Sequence, residues 1–109
     1  RFNTIKIMAN SFVTNLYLVP TEGATSQRLT PNATTVEEFG AFNASTRVIF
    51  FDVQSNDIFM TLDGSTPTTT NGHKLFAGRS YSLSIQAARV AKFISATGTA
   101  VVYGTEMAS

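Results

Sequence analysis

Residues 80–86 read Ser80-Tyr81-Ser82-Leu83-Ser84-Ile85-Gln86. Tyr81, Leu83 and Ile85 take every second position; the serines and Gln86 take the others. In an extended chain successive side chains point to opposite faces, so this stretch has one apolar and one polar face. That is the pattern of a half-buried strand in an antiparallel sheet. Working outward, residues 57–62 repeat it, with Ile58, Met60 and Leu62 on one face and Phe59 on the other beside Asp57 and Thr61. An exposed Phe59 would be a contact residue. Residues 47–53 (RVIFFDV) are apolar on both faces and read as a strand covered on both sides. Residues 12–19 and 100–103 are similar, residues 4–8 form a short alternating run, and residues 91–96 complete the set.

Turn residues separate these runs. Asn56-Asp57, Asp63-Gly64, Asn71-Gly72, Ala77-Gly78 and Thr97-Gly98 all supply residues that tolerate positive φ. Their recurrence after residue 46 predicts a single all-β domain, an antiparallel β-sandwich or jelly-roll-like fold. Residues 20–45 break the rhythm, opening with Pro20 and interrupted by Pro31. They read as a long loop excursion. Thr35 and Glu38 fit a capping box that would start one helical turn and set Phe39 and Phe42 on one face; a plain loop is the alternative. Residues 86–92 (QAARVAK) carry helix-favouring types, but the strand reading is preferred there.

One domain of 109 residues is large enough to bury roughly 65% of the surface its unfolded chain exposes, so it needs no staple. With no cysteine there is no disulfide framework and no thiolate metal site. The net charge is +1 and charged residues make up 14%, against about 25% in typical soluble domains. Ser and Thr, 26 in all, fill the difference. Such a surface repels neighbours weakly and suits close association. The eight cations are scattered, so no basic patch argues for nucleic acid. No apolar run reaches the ~18 residues of a membrane span, and the alternating first residues do not form a signal-peptide block. Arg1 is not an initiator methionine, so the chain is read as processed or as part of a longer one, with Met8 an alternative start.

Residues that could carry chemistry are few. His73 is the sole histidine, and it follows Asn71-Gly72 at the start of a strand, where a structural role is the simpler reading. Asp52 and Asp57 flank a turn and could approach each other, but a glycosidase needs two carboxylates across a sugar cleft. Asp63-Gly64-Ser65 lacks the acidic density of a Ca²⁺ loop. Asn32-Ala33-Thr34 and Asn43-Ala44-Ser45 match the N-glycosylation sequon, as about two asparagines of seven would by chance at this Ser and Thr frequency. No glycine-rich loop opens a helix to cradle a phosphate. No catalytic residue, cofactor, metal or small-molecule substrate is expected.

The stretch from Asp57 through Asp63-Gly64-Ser65-Thr66-Pro67, Asn71-Gly72-His73 and Ala77-Gly78 is distinctive. It is followed by Tyr81-Ser82-Leu83-Ser84-Ile85, Lys92-Phe93-Ile94 and residues 100–106. This order resembles small structural proteins of tailed bacteriophages, including capsid decoration (cement) proteins, over residues 47–106. The resemblance implies a β-sandwich or jelly-roll subunit on the exterior of the virion. It would bridge capsid subunits through contacts with the major capsid protein and with copies of itself, as a trimer or another homo-oligomer. A head–tail adaptor or tail and baseplate component is the alternative, and a carbohydrate-binding β-sandwich the second. Residues 1–45 carry no such resemblance and are expected to act as an arm and loop region for assembly; Phe2, Phe39 and Phe42 within them, and Phe59 on the strand beyond, are the expected anchors. Asp63, Gly64, Ser65, Pro67, Asn71, Gly72, His73 and Gly78 are expected to build turns. Pro67 belongs in a loop or at an edge, and His73 is expected to hydrogen-bond across the loop.

Overall fold

The computed structural model describes residues 19–21 and 26–108. Its strands are β1 (Val19–Pro20), β2 (Ser26–Leu29), β3 (Val48–Gln54), β4 (Ile58–Thr61), β5 (His73–Leu75), β6 (Ser80–Ser84), β7 (Lys92–Ser95) and β8 (Val101–Ala108), with one helix, α1 (Ile85–Val90), between β6 and β7. They form two antiparallel sheets. In the five-stranded sheet β8 lies between β3 and the β1 and β2 segments, and β6 flanks β3; in the three-stranded sheet β4 lies between β5 and β7. The chain is an all-β sandwich.

Alternation makes the core. Ile49, Phe51 and Val53 of β3 and Val102 of β8 are buried together on one face of the larger sheet. Ile58, Met60, Leu75 and Phe93 meet them from the smaller sheet. Three aromatic rings join the halves. Phe51 of β3 and Phe93 of β7 stand edge-to-face at 5.8 Å, and Phe39 closes the triangle at 5.9 and 5.3 Å. Tyr81 stacks on Phe51 at 5.8 Å. Gly104 of β8 is the gap that admits this packing: a Cβ there would lie 2.8 Å from Ile49 Cδ1 and 3.3 Å from the Phe39 ring.

Three expectations give way. Residues 47–53 are not covered on both faces, because Phe50 is 42% exposed. The excursion over residues 20–45 is not loop throughout, since Ser26–Leu29 pairs with β8 from Thr105 to Val102. Residues 86–90 are not a strand, although Lys92 begins β7: α1 runs from Ile85 to Val90, and Ser84 Oγ caps it by accepting from the Ala87 amide at 3.3 Å. Ala and Gln favour the helix, Arg89 suits its last turn, and the small Ala88 packs against the core. The runs at 4–8 and most of 12–19 lie outside the described residues.

The segment over residues 30–45 is the plain loop. Its capping box does not form, because the adjacent Glu37 accepts instead from the Thr30 amide and its backbone bridges to Phe93. The loop is fastened along β7 by the Glu37–Phe93 pair of amide bonds, at 3.0 and 2.8 Å, and by Ser95 N to Asn32 O at 3.1 Å. Both sequon asparagines close local turns: Asn32 Oδ1 accepts from Thr34 and Thr35, and Asn43 Oδ1 from Ser45.

Glu106 holds the far end of the loop. Its carboxylate is buried on the inner face of β8 and accepts from Asn43 N at 2.7 Å, Thr46 Oγ1 at 2.5 Å and Gln27 Nε2 at 3.2 Å. Gln27 in turn accepts from Gly40 N at 2.7 Å. Three neutral donors satisfy the carboxylate, so removing it would take the acceptor from a half-buried amide and a buried hydroxyl. Glu106→Ala is expected to lower the unfolding free energy by roughly 2–4 kcal/mol, and Glu106→Gln, which keeps an acceptor, by less. Denaturant titration measures both; an alanine variant as stable as the parent would dismiss the anchor.

Candidate functional site

Two regions of the surface gather polar and aromatic side chains, the motif loops after β4 and the outer face of the larger sheet. In the first, Asp63 Oδ1 accepts from the Ser65 amide at 3.0 Å and the Ser65 hydroxyl at 2.5 Å, with Gly64 at φ +84° between them. Thr61 Oγ1 donates to Ser65 O at 2.6 Å, and Lys92 Nζ to Gly64 O at 3.1 Å. Pro67 is fully buried in the loop. Asn71 pairs its backbone with Thr68 and reaches Thr66 O at 3.3 Å through Nδ2. Gly72 has φ +141°, and a Cβ there would stand 3.0 Å from Met60 O. Gly78 turns the chain at φ +84° and donates to Val53 O at 2.8 Å.

Met60–Asp63 and Asn71–His73 line an open cleft of ≈ 380 Å³ here. Its Thr61, Asp63 and Asn71 side chains are engaged within the loop over residues 61–71. His73, expected to bond across the loop, is exposed and makes no such bond among the described residues; it pairs by backbone register with Met60. Asp52 accepts from Ser80 Oγ at 2.8 Å, while Asp57 takes Lys74 at 3.7 Å and the Ala77 amide at 2.8 Å. The two acids are thus engaged with different partners. Among the described residues no group of three or more His, Asp or Glu could hold a metal ion.

The second region follows from strand register. Residues opposite each other in antiparallel strands share a face. One row places Arg28 of β2, Tyr103 of β8, Asp52 of β3 and Ser80 of β6 side by side. The next carries Ser26, Thr105, Phe50 and Ser82, and a third carries Pro20, Met107, Val48 and Ser84. Gln54 and Val101 form the last pair. This face points away from the core. Phe50 and Tyr103 are each 42% exposed at its centre, diagonal neighbours on adjacent strands. Beside Phe50, a shallow depression of ≈ 320 Å³ is lined also by Asp52, Ser80 and Ser82. Arg28 and Asp52 are the charged residues on the face.

The anchors named from the sequence are distributed differently. Phe39 is 6% exposed and its ring is taken up by the core triangle, which corrects its assignment as a contact. Phe42 packs on Phe39 at 6.0 Å and is half-buried. Phe59 is half-buried on the outer side of the smaller sheet, between Lys74 and Ile94. Phe2 lies outside the described residues. Phe50 and Tyr103 were missed. Phe50 stands in an apolar run that looks two-sided until β3 is paired with the serine face of β6, and Tyr103 reads as part of a short buried run.

No family model, curated protein or solved structure matches this chain. The functional reading therefore rests on the geometry and on the motif resemblance.

Two outcomes test the motif loops. Gly72→Ala is expected to cost about 1–3 kcal/mol of stability, because an L side chain is strained at that φ and meets the Met60 backbone; a thermal melt of the variant measures it. The Ser65 hydroxyl, followed by its amide, holds the Asp63 carboxyl below the ordinary carboxylate range. A depressed folded pKa stabilises above the unfolded carboxyl's pKa and is lost as pH falls through the folded value. Ser65→Ala is expected to raise the Asp63 titration midpoint in an NMR pH series, and an unchanged midpoint would refute this account.

Proposed function

We propose that this chain is a non-catalytic structural protein that works by surface association, as a capsid decoration protein of a tailed bacteriophage bridging capsid subunits from the virion exterior. The observation that carries the association is the outer face of the larger sheet. It sets Phe50 and Tyr103, two rings in the open, among Ser and Thr, with one cation and one anion among the described residues. Rigid aromatic side chains on a β-sheet are strong anchors because they bury large area with little loss of rotamer freedom. A face of low charge also approaches a partner with little desolvation cost. The virion assignment is supported by the resemblance of residues 57–78, whose Asp63, Gly72 and Gly78 make the turns the motif requires.

The loop over residues 30–47 has a different part in this reading from the arm first expected. Its backbone is fastened to β7 and its end to Glu106, so it closes the side of the sandwich. The contact surface moves to the sheet.

A second reading has its own observation. Phe50 beside Asp52, Ser80 and Ser82 places a ring next to polar groups on an open face, the arrangement a carbohydrate-binding module presents to a sugar.

Quantitative proteomics of tailed-phage particles from the source of the sequence is expected to find this protein in copy number comparable to the major capsid protein. Absence from particles would overturn the virion reading, and low copy number would shift it to a head–tail adaptor or tail component. Particle binding by Phe50→Asp/Tyr103→Asp is expected to fall at least roughly tenfold with the fold retained, as loss of central aromatic anchors does. Glycan-array binding abolished by the same double variant would favour the sugar-binding reading.

A further inference from the structure

We propose that two copies of this chain pair face to face through the outer side of the larger sheet, about a two-fold axis running along β8. The inference rests on the surface-association reading and deepens it by naming a second copy as what covers that face; loss of Phe50 and Tyr103 then lowers particle binding by removing the pair and its avidity.

Register and charge specify this pairing. Arg28 and Asp52 occupy the same row, one on each side of Tyr103. Consider a second copy turned over onto the first about an axis lying between the two sheets and parallel to β8. Rotation leaves position along the strand unchanged and exchanges left for right. The second copy's β2 then lies over the first copy's β3. Arg28 of each copy is thereby set above Asp52 of the other, twice, while Tyr103 meets Tyr103 on the axis. An axis running across the strands would not bring these two residues together.

The other rows accept the same operation. Ser26 stands over Phe50 in one row and Pro20 over Val48 in the next, so apolar atoms meet small or apolar side chains. Val101, Thr105 and Met107 of β8 lie along the axis with Tyr103 and meet their own counterparts, as an isologous contact requires. No like charges are opposed. Arg28 has no ion-pair partner among the described residues. One Asp52 oxygen accepts from Ser80 Oγ, leaving the other for an incoming guanidinium. Packed sheets lie about 10 Å apart, a gap that Tyr and Phe side chains fill and an Arg side chain spans.

The size of the face sets the expected strength. Three strand columns overlap in this arrangement, β1 with β2, β8 and β3, and at about seven residues each they cover a footprint of roughly 300–350 Å² per copy. That is below the size of a standard interface, so a weak, transient dimer, in the micromolar range or weaker, is expected.

Sedimentation velocity of the full chain, from about 1 μM to 1 mM, reads the pairing. A reversible dimer is expected. Arg28→Asp places two carboxylates at each contact and Asp52→Arg two cations, so each single variant is expected to weaken the dimer by at least roughly tenfold. The double variant Arg28→Asp/Asp52→Arg restores opposite charges and is expected to regain dimerisation to within a few-fold. Tyr103→Ser, at an exposed position, removes the axial contact and is expected to abolish pairing without loss of the fold. A monomer at every concentration overturns the proposal, whether a foreign partner or residues 1–18 of the chain itself are then found on the face. So does a dimer indifferent to Arg28→Asp and Tyr103→Ser, or singles that the double variant fails to rescue. The two readings fail separately: a monomer still found on particles loses only this pairing, while a rescued dimer absent from particles loses only the virion assignment.

Discussion

The triangle of Phe39, Phe51 and Phe93 is the contact on which the rest of the structure depends. Phe51 belongs to the larger sheet, Phe93 to the smaller, and Phe39 to the loop between β2 and β3. Each ring meets the other two edge-to-face, at 5.3–5.9 Å. Such pairs contribute about 0.5–1.5 kcal/mol each beyond the area they bury. Their larger consequence is geometric. They set the separation of the sheets and require that the loop lie across their open side. Gly104 makes the arrangement possible, because any side chain at that point would occupy the space of Ile49 and the Phe39 ring.

A second constraint follows from the first. A loop drawn in to place Phe39 must satisfy its own backbone away from water. It does so at both ends, by strand-like bonding of Glu37 to Phe93 and by the buried Glu106 carboxylate, which accepts from Asn43 and Thr46. A buried charge without a cation is tolerated where several donors surround it. Gln27 links the two parts, since it accepts from Gly40 and donates to Glu106. The loop thereby becomes a wall of the sandwich.

With core and loop accounted for on the inner side, the outer face of the larger sheet stands apart. In a half-solvated antiparallel sheet the outward positions are normally polar. Here β6 obeys that rule with Ser80, Ser82 and Ser84, and its neighbours break it with Phe50, Tyr103 and Val48. Folding does not explain these residues, since truncating an exposed ring changes core packing little. The proposed association gives them a role, because an exposed ring in a field of small hydroxyls loses little solvation when a partner covers it.

The sequence by itself determined the class of fold. Period-two alternation at Tyr81 and Leu83 and at Ile58 and Met60 dictates strands, and the turn residues Asp63, Gly72 and Gly78 end them through φ values and short-range hydrogen bonds. These are local effects, set by neighbours in the chain. It misled where a residue's state depends on what lies across the sheet or the core. Helix and strand were both open to residues 86–92, and the Ser84 cap with the room available to Ala88 decided for helix. Phe39 and Phe50 look alike as letters; one is buried and the other exposed because Phe39 meets Phe51 and Phe93, whereas Phe50 shares a row with Ser82 and Thr105. Glu106 reads as an ordinary surface acid until Thr46, 60 positions away, donates to it. Only tertiary structure decided these, because the free energy of each position is fixed by long-range pairing, which alternation and composition do not encode.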